Sequence, residues 1–318
     1  MSQPSLTRGA GFLDEVLATY VRSGVIESEH RGDLIILSAD GSVLLSRGNI
    51  DHKIFPRSTI KAIQTAAMVR NGLDLEPRLL ALVSSSHSGA QMHLDGVLEI
   101  LAKAQLTQDD LQNAAGKPLG DAERRAWDDK LPAPLAMNCS GKHAGMLLTC
   151  VINGWSTHDY LDPTHPLQRA CKQELEELAD ESISLTSTDG CGAPLFLLSV
   201  HGLARAIRTL TISADPVHRI VVDACRTFPE MVAGEARLTT QLMREVPGLF
   251  MKEGAEGVEV ISLPDGHTIV FKISDGSIRA FRVLAHATLA YIGVTTRYEP
   301  EPVLGGKSVI GAIAAAFI

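Results

Sequence analysis

Aromatic residues are scarce in this chain, at 4% of 318 residues. Proteins that bind single-stranded nucleic acid on stacked rings need a surface rich in aromatic side chains. Clustered lysines and arginines are also lacking, and the formal net charge is −8. A duplex-binding protein normally carries a basic stripe. We therefore expect no nucleic acid partner.

Long apolar runs are lacking as well. The N-terminal segment carries Asp14, Glu15 and Arg22 where a signal peptide needs an unbroken apolar core. The most apolar segment, residues 303–318, is too short to span a bilayer and contains Lys307. We expect a cytoplasmic protein without a membrane partner. In that compartment the five cysteines are reduced thiols or metal ligands rather than disulfides.

Strand patterns occur near both ends of the chain. Residues 33–38 and 42–47 are strand-like and are joined through Asp40-Gly41, a pair that favours a type I′ turn. Residues 257–262 and 267–273 form a second such pair around Asp265-Gly266.

Helical patterns dominate from residue 58 to about residue 245. A helix after Pro56 is closed by Gly72, Pro166 opens another, and Asp215-Pro216 is an N-cap followed by an N1 proline. Strands segregated from helices predict an α+β fold, with an antiparallel sheet from both chain ends and an inserted helical lobe. We assign residues 1–57 and 246–318 to an α/β lobe and residues 58–245 to the helical lobe of one catalytic unit, residues 1–318.

The segment Phe55-Pro-Arg-Ser-Thr-Ile-Lys61 has a spacing suited to nucleophilic catalysis. A serine hydroxyl is a poor nucleophile until a nearby base takes its proton. A separation of three residues on a helix brings Lys61 onto the face of Ser58. The lysine must be neutral to act as a base, and burial or a second cation lowers a lysine pKa. The same S-x-x-K spacing also arises by chance in a chain of this length.

Two further elements follow in the order known from serine β-lactamases and penicillin-binding enzymes, S-x-x-K, S-x-S and K-x-G. The run Ser84-Ser-Ser-His-Ser88 could supply a hydroxyl for proton relay, from Ser84, Ser85, Ser86 or Ser88, and the alternative is a polar turn or helix cap. Lys252 is the candidate second lysine, and the alternative is a solvated surface lysine.

Five sequence blocks together resemble the bacterial asparaginases typified by the inducible enzyme of Rhizobium. The blocks are Phe55-Pro-Arg-Ser-Thr-Ile-Lys-Ala-Ile-Gln64, Ser86-His-Ser-Gly89, Asn138-Cys-Ser-Gly-Lys-His-Ala-Gly145, Asp189-Gly-Cys-Gly192 and Lys252-Glu-Gly-Ala-Glu-Gly257. The resemblance implies a serine β-lactamase-like fold, a homodimer, and hydrolysis of L-asparagine to L-aspartate and ammonia. It implies Ser58 as nucleophile, Lys61 as its base, and Ser86 and Lys252 as the second serine and lysine.

The resemblance also implies a zinc site of Cys139, Lys142 and Cys191, whereas composition alone favours buried, inert cysteines. No organic cofactor is expected. An amino acid substrate needs a cation for its α-carboxylate and an acid for its α-ammonium group. Arg57 is the candidate for the former and Asp189 for the latter, and the alternatives are a salt bridge at a helix entry for Arg57 and a turn residue for Asp189. We expect His143 to hydrogen-bond in the same pocket or to be a structural histidine.

Other functions remain compatible with these blocks. A glutaminase or broader amidase differs only in its pocket, because one methylene group is weakly discriminated. A relative that binds a ligand or zinc without turnover would keep the scaffold but has no need of a Ser–Lys pair. A β-lactamase is disfavoured because the S-D-N and K-T-G triplets are lacking.

Overall fold

The computed structural model of the protein describes residues 14–317. Within this range the strands are β1 (Glu15–Arg22), β2 (Val25–Leu37), β3 (Val43–Arg47), β4 (Lys53–Ile54), β5 (Thr186–Thr188), β6 (Pro194–Phe196), β7 (Leu198–Ser199), β8 (Phe250–Gly254), β9 (Val258–Ser262), β10 (Thr268–Ile273), β11 (Pro302–Gly305) and β12 (Ser308–Ala315).

The α-helices in the same range are α1 (Lys61–Arg70), α2 (Pro77–Val83), α3 (Gln91–Lys103), α4 (Asp121–Trp127), α5 (Ser140–Asn153), α6 (Pro166–Ala179), α7 (Val200–Ile212), α8 (Pro216–Thr227), α9 (Pro229–Val232), α10 (Leu238–Glu245) and α11 (Phe281–Tyr291). Short 3₁₀ helices span Arg57–Ile60 and Gln108–Asp110.

The main sheet has eight antiparallel strands in the order β11-β12-β1-β2-β10-β9-β8, with β3 pairing to β2. The long strand β2 pairs with β1 through its first part, and with β10 and β3 through its second. Strands from both ends of the chain therefore share one sheet, and the helices from α1 to α10 are inserted between them. This arrangement confirms the predicted α+β fold.

Helices cover the sheet because its central strand is apolar on both faces. Leu34, Ile35, Ile36 and Leu37 are consecutive on β2 and all fully buried. Successive strand residues point to opposite faces, so each face must be covered. Helix α7 packs on β2, β9 and β10, and α11 packs on β1 and β12. Strand β8, at one end of the sheet order, contacts α8, α10 and the 3₁₀ helix Arg57–Ile60.

Local signals are confirmed in most places. Helices α6 and α8 begin with Pro166 and Pro216, and the side chain of Asp215 accepts a hydrogen bond from the backbone N–H of Val217 as an N-cap. The type I′ turn between β2 and β3 was a wrong prediction. Only Gly41 of the pair has a positive φ, at 91°, and a type I′ turn needs two such residues.

Each of the five cysteines is buried and free. Cys150, Cys171 and Cys225 belong to the main hydrophobic core, whereas Cys139 and Cys191 form a separate small cluster with Ala193. Between residues 14 and 317, every helix falls short of the length and apolar character needed to cross a membrane.

Candidate active site

Ser58 lies on a tight turn between the sheet and the helical lobe. Strand β4 leads through Pro56 into the 3₁₀ helix Arg57–Ile60, and α1 begins at Lys61. Arg57 has a φ of 54°, a left-handed conformation that side-chain-bearing residues rarely adopt. Such strain costs about 1–3 kcal/mol and is found mainly at functional sites. Ser58 is 9% exposed, so its hydroxyl reaches solvent through a narrow opening.

Two glycines allow close approaches between segments of this site, one at the Ser58 turn and one at the end of α2. A Cβ atom at Gly254 on β8 would lie 2.9 Å from the Pro56 carbonyl oxygen. A Cβ atom at Gly141 on α5 would lie 2.5 Å from the Leu82 carbonyl oxygen at the end of α2. The K-x-G strand thus contacts the turn of Ser58, and α5 packs directly on the helix that precedes the serine run.

Lys61 is 1% exposed, and its ammonium group has three partners. Its Nζ donates to the carbonyl oxygen of Ser85, to Ser86 Oγ at 3.3 Å and to Cys139 Sγ at 3.1 Å. An ammonium group has three N–H donors, so all are used. Within residues 14–317 the Ser58 hydroxyl is not among these partners. The two side chains therefore lack the direct hydrogen bond that their spacing suggests.

Ser86 connects the two lysines. Lys252, also 1% exposed, donates to Ser86 Oγ at 2.8 Å and to the carbonyl oxygen of Glu253 at 2.8 Å. Ser86 Oγ therefore accepts from both ammonium groups, which uses both of its lone pairs and leaves its O–H free to donate elsewhere.

The other serines of the run point elsewhere. Ser84 Oγ donates to Thr65 Oγ1 at 2.9 Å, and Ser88 Oγ donates to Glu123 at 2.8 Å. The hydroxyl of Ser85 is buried without a hydrogen-bond partner among the described residues. Only Ser86, of these four, contacts the lysines through its side chain.

The electrostatics of the lysine pair favour one neutral amine near neutral pH. Burial, and then the positive charge of Lys61, lower the pKa of Lys252 to about 7. Two buried ammonium groups sharing one hydroxyl repel each other in a medium that screens charge poorly. The pair therefore releases a proton at a pH where an exposed lysine is fully charged.

Arg57 and Asp189, predicted as separate binders of the two ends of an amino acid, form an ion pair. Arg57 Nε donates to Asp189 Oδ1 at 2.7 Å, and the Gly190 N–H donates to the same oxygen at 2.8 Å. The Arg57 side chain is 21% exposed and the Asp189 side chain 11%. The Arg57 Nη1 atom lies 3.9 Å from the exposed carboxylate of Glu256, so the guanidinium group has a second, weaker ion pair.

The proposed metal ligands Cys139, Lys142 and Cys191 lie together under this site. Lys142 Nζ donates to Cys191 Sγ at 3.3 Å. A hydrogen bond from Cys139, together with the charges of Lys142 and His143, lowers the pKa of the Cys191 thiol despite burial. The same hydrogen bond and burial raise the pKa of Cys139. Burial lowers the pKa of Lys142, but the two sulfurs and Asp189 outweigh it, so that pKa is raised overall.

The donors of this cluster are compatible with zinc, with one condition. Thiolates are good zinc ligands, but lysine must lose its proton to bind. His143 Nδ1 shares a 2.8 Å hydrogen bond with Tyr160 Oη, and its Nε2 is buried without a well-aligned partner among residues 14–317. The same range contains no group of three His, Cys, Asp or Glu side chains placed to hold a metal. A zinc site here therefore depends on the Lys142 amine.

A cavity of about 840 Å³ opens onto the two serines. Its lining comprises Ser58, Ser86, Ser88, Leu119, Gly120, Asp121, Ala122, Glu123, Arg125, Asn138, Glu235, Ala236, Arg237, Glu253, Gly254, Ala255, Ile278 and Phe281. The buried lysines lie behind this lining. Hydroxyl groups thus face the cavity while the amines that polarise them are shielded from water.

Sequence patterns missed the link between the lysine pair and the cysteine cluster. Lys61 contacts Cys139, which lies 78 positions later in the chain. The contact between Arg57 and Asp189 was also missed, although the chemical types of both residues were recognised. Side chains so far apart in sequence meet only through the packing of α1, α2 and α5, and no spacing rule applies to them.

The family described as L-asparaginase II matches residues 18–309 of this chain. Among curated proteins, no sequence matches it.

Solved structures similar to the chain include a β-lactamase from Mycobacterium bovis, at 13% identity over 82% of this chain and 94% of that one, with a TM-score of 0.45. EstCE1, a hydrolase with promiscuous acyltransferase activity, is 11% identical over 80% and 91% of the two chains, with a TM-score of 0.42. Mglu in its native form is 15% identical over 87% and 67%, with a TM-score of 0.46. Because these TM-scores are below 0.5, we describe the fold of this chain from its own strand order.

Proposed function

Since this chain belongs to the L-asparaginase II family and is an amidohydrolase of the asparaginase type, we propose that it hydrolyses the side-chain amide of L-asparagine through an acyl-enzyme on Ser58. The observation that carries the proposal is the convergence of two buried lysines on one hydroxyl, Ser86, which lines the same cavity as Ser58. A site that only binds a ligand gains nothing from two buried amines with competing charges.

Acylation begins with proton transfer from Ser58 to Lys61. This step requires that the lysine pair hold one proton fewer and that the neutral amine be that of Lys61, whose lone pair then replaces one N–H donor and accepts the Ser58 hydroxyl. Catalytic hydrogen bonds are often long in the free enzyme and tighten with substrate. The Ser58 oxygen attacks the amide carbon, and backbone N–H groups stabilise the oxyanion.

The departing ammonia needs a proton, and Ser86 is the donor. Its hydroxyl accepts from both lysines, so it can pass a proton to the leaving nitrogen and regain one from Lys61 or Lys252. The resulting β-aspartyl ester on Ser58 is then hydrolysed by water with Lys61 as base. Overall, one asparagine and one water molecule give one aspartate and one ammonia.

Substrate recognition is assigned to Arg57 and Asp189. The paired guanidinium and carboxylate present both charges that a zwitterionic amino acid requires, at the residue next to the nucleophile. The Nη groups of Arg57 bind the α-carboxylate, which displaces the exposed Glu256 carboxylate, and the second oxygen of Asp189 binds the α-ammonium group. His143, whose buried ring lies beside Cys191, supports this pocket or the metal beside it.

A zinc ion is proposed at Cys139, Lys142 and Cys191. Bound zinc would supply a fixed positive charge beside the substrate pocket, and its ligands would hold α5 against the Asp189 loop. We further propose a cytoplasmic homodimer, and no organic cofactor enters the proposed reaction.

Steady-state release of ammonia tests the proposal. Wild-type protein should release ammonia from L-asparagine, and Ser58→Ala should reduce kcat by about 10⁴-fold or more. The Ser58 hydroxyl has no hydrogen-bond partner within residues 14–317, so the variant should keep its free energy of unfolding within about 1 kcal/mol of wild type. Normal turnover by Ser58→Ala would show that another group is the nucleophile.

L-glutamine, assayed in parallel, distinguishes a glutaminase or a broader amidase from an asparaginase. Calorimetry with L-asparagine distinguishes a third case, since binding without ammonia release by the wild type would identify a non-catalytic relative.

A further inference from the structure

The cavity above Ser58 has more room than one asparagine molecule needs. Its volume of about 840 Å³ lies in the range of roughly 300–1,000 Å³ typical of pockets for drug-sized ligands. Arg57 and Asp189, the pair assigned to the amino acid end of the substrate, are not part of its lining. The cavity that Ser58 and Ser86 line is therefore separate from that pair, and we assign it to the leaving group. Ammonia as a leaving group does not need a space of this size.

The walls of this space suit an amino acid as leaving group. Leu119 and Phe281 are apolar, and Arg237 is held by an ion pair with Glu253. Arg125, on α4, also lines the cavity and is exposed. Within residues 14–317 its guanidinium group makes no hydrogen bond or ion pair. The lining also carries four acidic residues, of which Glu235 and Glu253 are paired with arginines and Glu123 accepts a hydrogen bond from Ser88. Arg125 is thus the cation of this wall that is available to a substrate carboxylate.

We propose that the enzyme also hydrolyses β-aspartyl dipeptides, in which the side-chain carbonyl of aspartate is bonded to the amine of a second amino acid. The proposal rests on the asparaginase reaction described above. The aspartyl part occupies the same place as asparagine, an apolar second residue contacts Leu119 and Phe281, and its carboxylate reaches Arg125.

The chemistry is that of the asparagine reaction with a larger leaving group. The bond between Ser58 Oγ and the acyl carbon forms, the C–N bond breaks, and the departing amine takes a proton from Ser86. Water then forms the new C–O bond, the ester bond to Ser58 breaks, and its oxygen regains a proton through Lys61. One dipeptide and one water give aspartate and one free amino acid.

The test compares β-L-aspartyl-L-leucine with L-asparagine on the full-length protein, by release of leucine and of ammonia. We expect the dipeptide to be hydrolysed by the wild type. Ala122→Trp fills the cavity from α4 and should lower the ratio of kcat/KM for the dipeptide to that for asparagine by about tenfold. Ala126→Trp, on the same helix but outside the lining, is the matched control and should leave the ratio as in wild type.

A second pair of variants tests the carboxylate contact. Arg125→Gln should raise KM for the dipeptide by about threefold to fivefold, the size expected of an exposed ion pair. Arg169→Gln removes the same charge from an exposed position on α6 outside the lining and should have no such effect.

The outcomes separate the two proposals. Hydrolysis of asparagine without hydrolysis of the dipeptide overturns the inference and leaves the asparaginase function intact. Failure with both substrates overturns both. Hydrolysis of the dipeptide with equal ratios in Ala122→Trp and Ala126→Trp overturns the assignment of this cavity to the leaving group.

Discussion

Replacement of Lys252 by methionine tests whether the two lysines share their charge. Methionine keeps much of the length and volume of the side chain but cannot be protonated. In the wild type, Lys252 faces Lys61 from α1, and the acidic groups that act on it are Glu253, Glu259 and the thiol of Cys139. Burial and Lys61 dominate, and they lower the pKa of Lys252 to about 7.

The size of the effect follows from this pKa and the ordinary value of 10.5. Each pKa unit corresponds to about 1.4 kcal/mol. The unfolded chain therefore binds more protons at this lysine between about pH 7 and pH 10.5, and wild-type stability rises with pH in that window. The lysine destabilises the fold by roughly 4 kcal/mol at pH 7 and roughly 2 kcal/mol at pH 9. The methionine variant lacks this dependence.

Urea unfolding of both proteins at pH 7 and pH 9 measures the difference. The loss of two hydrogen bonds from Lys252 offsets part of the gain in stability, by about 1 kcal/mol each. That offset is much the same at both pH values. We therefore expect the stability advantage of Lys252→Met to be smaller at pH 9 than at pH 7 by about 2 kcal/mol.

Lys103→Met, at an exposed position at the end of α3, is the control and should show no such difference. A stability difference between wild type and Lys252→Met that is the same at both pH values would refute the shared-charge explanation.

Two further predictions concern the groups around the nucleophile. Ser86→Ala should lower kcat by about 10²–10⁴-fold. The control, Ser84→Ala, should keep activity close to that of wild type because Ser84 contacts Thr65 rather than the lysines. Equal losses of kcat in the two variants would contradict a relay at Ser86. Metal analysis should find one zinc per chain. A cobalt-substituted protein should show a thiolate-to-cobalt absorption band that Cys191→Ser weakens. Protein that contains no zinc after purification and shows no such band with cobalt would contradict the metal proposal.

The sequence predicted the parts of the fold that local chemistry determines. Proline at the first helical position started α6 and α8 where expected, because its fixed φ suits that position. Strands β9 and β10 were expected from their apolar composition and the Asp265-Gly266 turn between them. Strand β12 was not predicted as a strand. Its segment Ser-Val-Ile-Gly-Ala-Ile-Ala-Ala contains glycine and alanine, which are depleted in strands. It is stabilised by pairing with β1, almost 300 residues earlier.

The sequence alone thus determined which chemical groups are present and which neighbours along the chain share a face, because helix and strand periods are local properties. It identified Ser58 and Lys61 as candidates on that basis, and Ser86 and Lys252 from the order of motifs and the family resemblance. Only the tertiary structure decided that both lysines meet at Ser86 and that Lys61 also contacts Cys139. It likewise decided that Arg57 pairs with Asp189. These contacts join segments that are distant in the chain, and their geometry depends on how closely α2, α5 and β8 pack.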